Sequence, residues 1–169
     1  MYLIEAKNPE VWYHGSNKKI TKWEIKNTGK GIDQEGAGLY FTTDIEDAQI
    51  YGDNIHQVKL NFKKLLSSRI KPKPAEISKL MKQSPYYKDV LEDWGQNEKE
   101  AFNYALENYI DNDTHLNCVH AVEADFYRKD GESFCKAMIS LGYDGFIVDI
   151  KYNNILHAIV WNPKIIENV

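Results

Sequence analysis

Three short segments of the chain hold the residue types that could do chemistry. Tyr13-His14-Gly15-Ser16 sets an imidazole and a hydroxyl on either side of a residue with no side chain. Imidazole nitrogens and serine oxygens both donate and accept hydrogen bonds, so this segment suits a ligand rich in hydroxyl groups. The glycine lets main chain come close to such a ligand. Gly38-Leu39-Tyr40-Phe41-Thr42, with Ala48 and Tyr51 further on, brings two tyrosines whose ring faces could hold a flat group between them. Near the C-terminus, Asp149 and His157 are an acid and a base of the kind used to stabilise positive charge or move a proton. Each has an ordinary structural reading as well. His14 could bond a loop backbone, Tyr40 and Tyr51 could be core aromatics, and Asp149 could sit on the outer face of a strand.

The chemistry has to be carried by a framework of limited size. A length of 169 residues with 43% hydrophobic side chains fits a single domain, residues 1–169. The net charge of -4 gives no electrostatic reason to favour nucleic acid or an anionic membrane. Arg69 and Arg128 are the only arginines, so backbone amides must do much of any phosphate binding. Cys118 and Cys135 read as two reduced core thiols, and His56, His115 and His120 lack metal-ligand spacing. The N-terminus lacks the basic flank and apolar run of a signal peptide, and no stretch is apolar enough to cross a bilayer. A cytoplasmic protein is the expectation.

The elements that position the chemical residues are legible in outline. The run 11–14 reads as a strand ending at Gly15-Ser16, and 39–42 as a second strand after a glycine-rich loop over 27–38. Thr43-Asp44-Ile45-Glu46 resembles a capping box opening a helix to about residue 51, and 55–62 is a further strand. After Lys71-Pro72-Lys73-Pro74, the segments 75–81, 86–94 and 98–110 carry apolar residues at helical intervals, ended by Asp111-Asn112-Asp113. These form a helical insertion over about 72–112. A helix at 131–141 closed by Gly142 precedes strands at 146–150 and 156–161, which are separated by a turn over 151–154. Strands at both ends around central helices predict an α+β domain with a cleft between early and late strands.

In their order and spacing, the segments around His14, Tyr40 and His157 resemble the ADP-ribosyltransferases of the diphtheria-toxin and poly(ADP-ribose) polymerase branch, including small phage and bacterial relatives. The resemblance covers 1–62 and 142–169. It implies a split β-sheet cleft, NAD as co-substrate, and a macromolecular acceptor, in the first place a protein. It also implies roles in NAD binding. Tyr13, His14, Gly15 and Ser16 form the first motif, with His14 on the adenine-side ribose and the Gly15 backbone on the nicotinamide carboxamide. Tyr40, Thr42, Ala48 and Tyr51 form the second, its tyrosines sandwiching the nicotinamide ring. The catalytic set is then His14, Tyr40, Asp149 and His157.

One position departs from the pattern. His157 stands where the family usually has Glu, and a neutral imidazole carries no negative charge to offer a cation-like sugar. Asp149 could take the acidic role, or His157 could act as a general base. Two other outcomes stay open at this level: a catalytically weak NAD-binding or protein-interaction module, and an RNA 2′-phosphotransferase. The scarcity of arginine argues against the last.

Overall fold

The computed structural model describes residues 9–26, 36–95, 97–111, 114–150 and 154–169. The expected loop is therefore seen only from Gly36 to Gly38, and the turn at 151–154 only at Asn154. Asn112 and Asp113 also fall outside the described residues. Six strands and six α-helices follow in the order β1 (Trp12–Ser16), β2 (Leu39–Thr42), α1 (Ile45–Gln49), β3 (Asn54–Leu60), α2 (Pro74–Lys82), α3 (Tyr87–Trp94), α4 (Glu98–Ile110), α5 (His115–Val122), α6 (Gly131–Ser140), β4 (Gly145–Ile150), β5 (Ile155–Val160) and β6 (Ile166–Asn168). A π-helical segment, Glu123–Tyr127, extends α5. No described helix is long and apolar enough to cross a membrane.

The described strands form one antiparallel sheet in the order β4-β5-β2-β1-β3-β6. Its pairing is uneven. β1 lies along β3 from Trp12 opposite Val58 to Ser16 opposite Asn54, and β2 lies along β5 from Leu39 opposite Val160 to Thr42 opposite His157. Between β1 and β2 the register holds one pair, Tyr13 opposite Thr42. The sheet is thus split into two halves, β4-β5-β2 and β1-β3-β6. The break falls between the two early strands, and not between early and late strands as expected, because β2 has joined the late ones.

Alternation along the strands gives each half its faces. Trp12, Phe41, Val58, Leu60, Ala158 and Val160 pack together with Ile165 under the split and touch both halves. The opposite face of β4-β5-β2 offers Phe146, Ile159 and Trp161 to the helices, where Ile77, Leu80, Val119, Phe126, Phe134 and Met138 complete a larger core. The helices at 74–110 fall close to their expected places because their apolar residues recur at helical spacing. Helical structure then continues to Tyr127, well past the expected end at 112. Thr114 restarts it by accepting a hydrogen bond from the Asn117 N–H. Cys118 and Cys135 are buried in this core, where burial raises the Cys118 thiol to about 12. At the other end of α6, Gly142 takes φ +85° and ends the helix as its position in the sequence suggests.

Candidate functional site at the split of the sheet

The split determines which main-chain groups face the gap. The Thr43 N–H bonds to the Leu156 carbonyl, so odd-numbered residues of β2 direct their main-chain groups at β5 and Tyr40 and Thr42 direct theirs at β1. Tyr13, opposite Thr42, faces β2 in return, and by the same alternation so does Gly15. Beyond the Tyr13 pair the ladder stops. The N–H and C=O of Gly15 therefore point into the gap beside Tyr40, a donor and an acceptor side by side.

Gly15 is where it is for a steric reason. A Cβ there would sit 2.8 Å from the Ala48 carbonyl carbon, and closer still to its oxygen, because the end of α1 lies against β1. Ala48 is buried in that contact. Gly38, at φ +152°, plays the matching part at the start of β2: a side chain would meet the Ile159 methyl at 2.5 Å.

His14 lies across the gap. Its Nδ1–H donates to the Tyr40 carbonyl at 2.6 Å, since a carbonyl oxygen only accepts. Trp23 meets the ring edge-on at 5.2 Å, with Phe41 at 5.4 Å and His56 at 6.3 Å. Burial holds the His14 pKa below its ordinary value, the Tyr40 bond opposing and His56 adding to the effect. The ring is therefore neutral near pH 7, with Nε2 left as an acceptor.

The second motif surrounds the other side of the gap. The Tyr40 hydroxyl donates to the Gly36 carbonyl at 2.5 Å, fixing the ring over the segment that leads into β2. Ala37 is secured at the same point: its N–H donates to Glu123 Oε1 at 2.7 Å and its carbonyl accepts from the Trp161 indole at 2.9 Å. Thr42 is buried, and its Oγ1 accepts from the Asp44 N–H. Asp44, not Thr43, is the cap of α1, accepting from the Asp47 N–H at 2.9 Å. Thr43 instead accepts from the Leu156 N–H. Tyr51 follows α1 and is 57% exposed, its N–H bonded to the Ala48 carbonyl. Tyr13 is half-buried, and the half-buried Ser16 accepts from the Lys18 N–H.

His157 stands opposite Thr42 on the same face of the sheet as Ile159 and Trp161. Its Nε2–H donates to Asp47 Oδ2 at 2.7 Å, and both side chains keep 19% of their surface exposed. Asp149 is not brought to this group. It pairs with Leu156, shares the face of Ile147 and so lies on the side of the sheet opposite to His157, and it is exposed. The structure thus gathers His14, Gly15, Tyr40, Thr42, Ala48 and His157 around the split, with Tyr51 exposed just past the end of α1. It adds Asp47 and Glu123, which the sequence alone did not single out.

A family model described as ADP-ribosyltransferase in polyvalent proteins matches residues 6–169. The chain belongs to this family. Comparison with curated proteins and with solved structures gives no match. Membership accounts for the α+β fold with its split sheet and places the chain among ADP-ribosyl transferases in general. The match runs through the helical middle, which the motifs alone did not reach. In this ADP-ribosyltransferase domain the helices are not peripheral: they form most of the larger core, and Glu123 ties them to the entry of β2.

Proposed function

We propose that this ADP-ribosyltransferase domain uses NAD and transfers a single ADP-ribose unit to a macromolecular acceptor, a protein in the first place, as an effector in phage or bacterial conflict. The observation that carries the NAD reading is the gap beside Gly15. A carboxamide needs one acceptor for its N–H and one donor for its C=O, because buried amide groups left unpaired cost roughly 1–3 kcal/mol each. Gly15 offers both main-chain groups at a point where β2 does not pair with them. Tyr40 on the strand and Tyr51 after α1 supply ring faces for the nicotinamide. His14 Nε2 supplies an acceptor for a ribose hydroxyl. The arrangement suits a ring that carries an amide and is joined to a sugar.

The reaction breaks the bond between the ribose C1′ and the nicotinamide nitrogen. The bonding electrons pass to the pyridinium ring, and C1′ becomes cation-like until the acceptor attacks it. Holding the carboxamide at Gly15 and the ring between tyrosines orients the leaving group, while His14 fixes the sugar.

Incubation of the purified protein with adenylate-labelled NAD and host lysate tests the proposal, with free nicotinamide measured in parallel. Label on a protein band and stoichiometric nicotinamide are the expected result. Binding of NAD without label transfer or nicotinamide release would sink the transferase reading and leave a binding module. His14→Ala should weaken NAD binding about 3- to 10-fold, the loss of one hydrogen bond of about 1 kcal/mol. A wild-type protein that binds no NAD in titration removes the reading altogether.

A further inference from the structure

Resting on that reading, we infer that Asp47 and His157 act as one unit, with His157 Nδ1 taking the proton of the incoming acceptor and the Asp47 carboxylate supplying the negative charge that an imidazole lacks. The geometry assigns the parts. His157 Nε2 lies 2.7 Å from Asp47 Oδ2, and a carboxylate accepts, so Nε2 carries the hydrogen and Nδ1 of the neutral ring is the basic atom. With a neutral ring the pair has a net charge of minus one. A lone imidazole would offer a cation-like C1′ no charge, and a protonated one would repel it.

The pair is also placed for this work. Asp47 directly precedes Ala48, whose carbonyl lies against Gly15, and His157 stands opposite Thr42 on the strand next to β2. The pair therefore reaches across β2, from the helix that lies against Gly15 to β5 on the far side of the strand that carries Tyr40. Asp44, another carboxylate at this end of α1, is used in capping the helix and leaves Asp47 as the one turned to the sheet.

The step balances without a further reactant. The C1′–N bond breaks with its electrons going to nicotinamide, and an acceptor oxygen, nitrogen or sulfur forms the new bond to C1′. Its proton passes to His157 Nδ1. The imidazolium so formed is stabilised by Asp47 and returns the proton to solvent. Asp47 is a positioning residue here, and His157 is the residue that meets the acceptor.

The test uses the whole chain with water as acceptor, measuring nicotinamide release from NAD together with NAD affinity by titration. Asp47→Asn keeps an oxygen for the Nε2–H and removes only the charge. It should lower turnover about 10²- to 10⁴-fold while the NAD Kd stays within about threefold. Asp47→Asn combined with His157→Glu returns a carboxylate to the same place and should recover at least about tenfold of that loss. His157→Gln, a change outside the α1 cap, should show the same loss as Asp47→Asn and serves as the second variant where the first melts below assay temperature. Wild-type release that survives Asp47→Asn overturns the inference alone, as does a loss that the double variant does not recover, which would make Asp47 structural. A wild type that binds NAD but neither releases nicotinamide with water nor labels protein in lysate overturns the transferase reading and this inference with it.

Discussion

Replacing Gly15 by Ala tests the packing of α1 on β1 as the source of the site's geometry. The added Cβ would lie 2.8 Å from the Ala48 carbonyl carbon, where carbon atoms ordinarily stay about 3.5–4.0 Å apart. The helix end must therefore retreat by about 1 Å. Gly15 lies in a strand and its backbone is one that alanine accepts, so the penalty is steric alone. Overpacking of this kind costs about 1–3 kcal/mol, which in a chain of this size lowers Tm by roughly 2–12 °C. The retreat carries Asp47 and Tyr51 with it, and a displacement of about 1 Å at a reacting centre can cost 10²-fold in rate. Thermal melting and nicotinamide release measured on the same preparation read both effects. Gly145→Ala is the control, since its Cβ would likewise overlap a carbonyl oxygen, that of Ile159, and sit 3.1 Å from the Ile159 carbonyl carbon between β4 and β5. It should lower Tm but leave the rate per folded molecule unchanged. A Gly15→Ala protein with wild-type Tm and wild-type turnover would refute the reasoning, and equal rate losses in the two variants would refute the part assigned to α1.

Asp144 should be a stabilising residue rather than a catalytic one: it is buried and accepts from the Lys63 and Lys64 N–H groups and from Asn162 Nδ2. Asp144→Ala strands those donors and should cost about 3 kcal/mol in urea unfolding, and a loss within 0.5 kcal/mol, estimated on the same scale as a surface change, would contradict this. Stability should also fall on mild acidification. His14, His115 and His120 all have pKa values below the ordinary 6.5, in each case chiefly through burial. The unfolded chain therefore binds more protons than the folded one, and their contribution is complete above about pH 6.5 and lost as pH falls below it. Urea midpoints between pH 7.5 and 5.5 should decline, with a shallower slope in His120→Phe, whose ring packs edge-on to Phe146. A flat or rising profile would refute the assignment.

How much of this was legible beforehand depends on how local the determining contacts are. β1 and β2 could be read because Trp12-Tyr13-His14 and Leu39-Tyr40-Phe41 are short aromatic runs bounded by glycine. The helices over 74–110 could be read from apolar spacing. The segment His115–Tyr127 escaped because His115, Leu116, Cys118, Val119, Val122, Phe126 and Tyr127 are buried on several sides, so no single apolar stripe marks it. The position of the cleft also escaped, because it depends on β2 choosing β5, a pairing between residues more than a hundred positions apart. The same pairing is what brings His157 to Asp47. Asp149 had looked equally eligible, and only the opposition of Val148 and His157 puts it on the other face. At α1 the turn chemistry was right in kind but one residue out, since Thr43 is held by β5 and Asp44 is free to cap.

The single rung between β1 and β2 has a mechanical side. One half-sheet is wedged between two cores, while the β1-β3-β6 half is gripped mainly by the small cluster of Trp12, Val58 and Leu60 with Phe41, Ala158 and Val160. That cluster works like the pin of a clasp. A molecule that joins Gly15 to the Tyr40 side would close the clasp by supplying the missing crosspiece, so the bound molecule becomes a structural member of the sheet for as long as it stays. If that molecule is the proposed co-substrate, departure of its leaving group would remove a strut, and the protein releasing product would be a looser object than the one that held substrate.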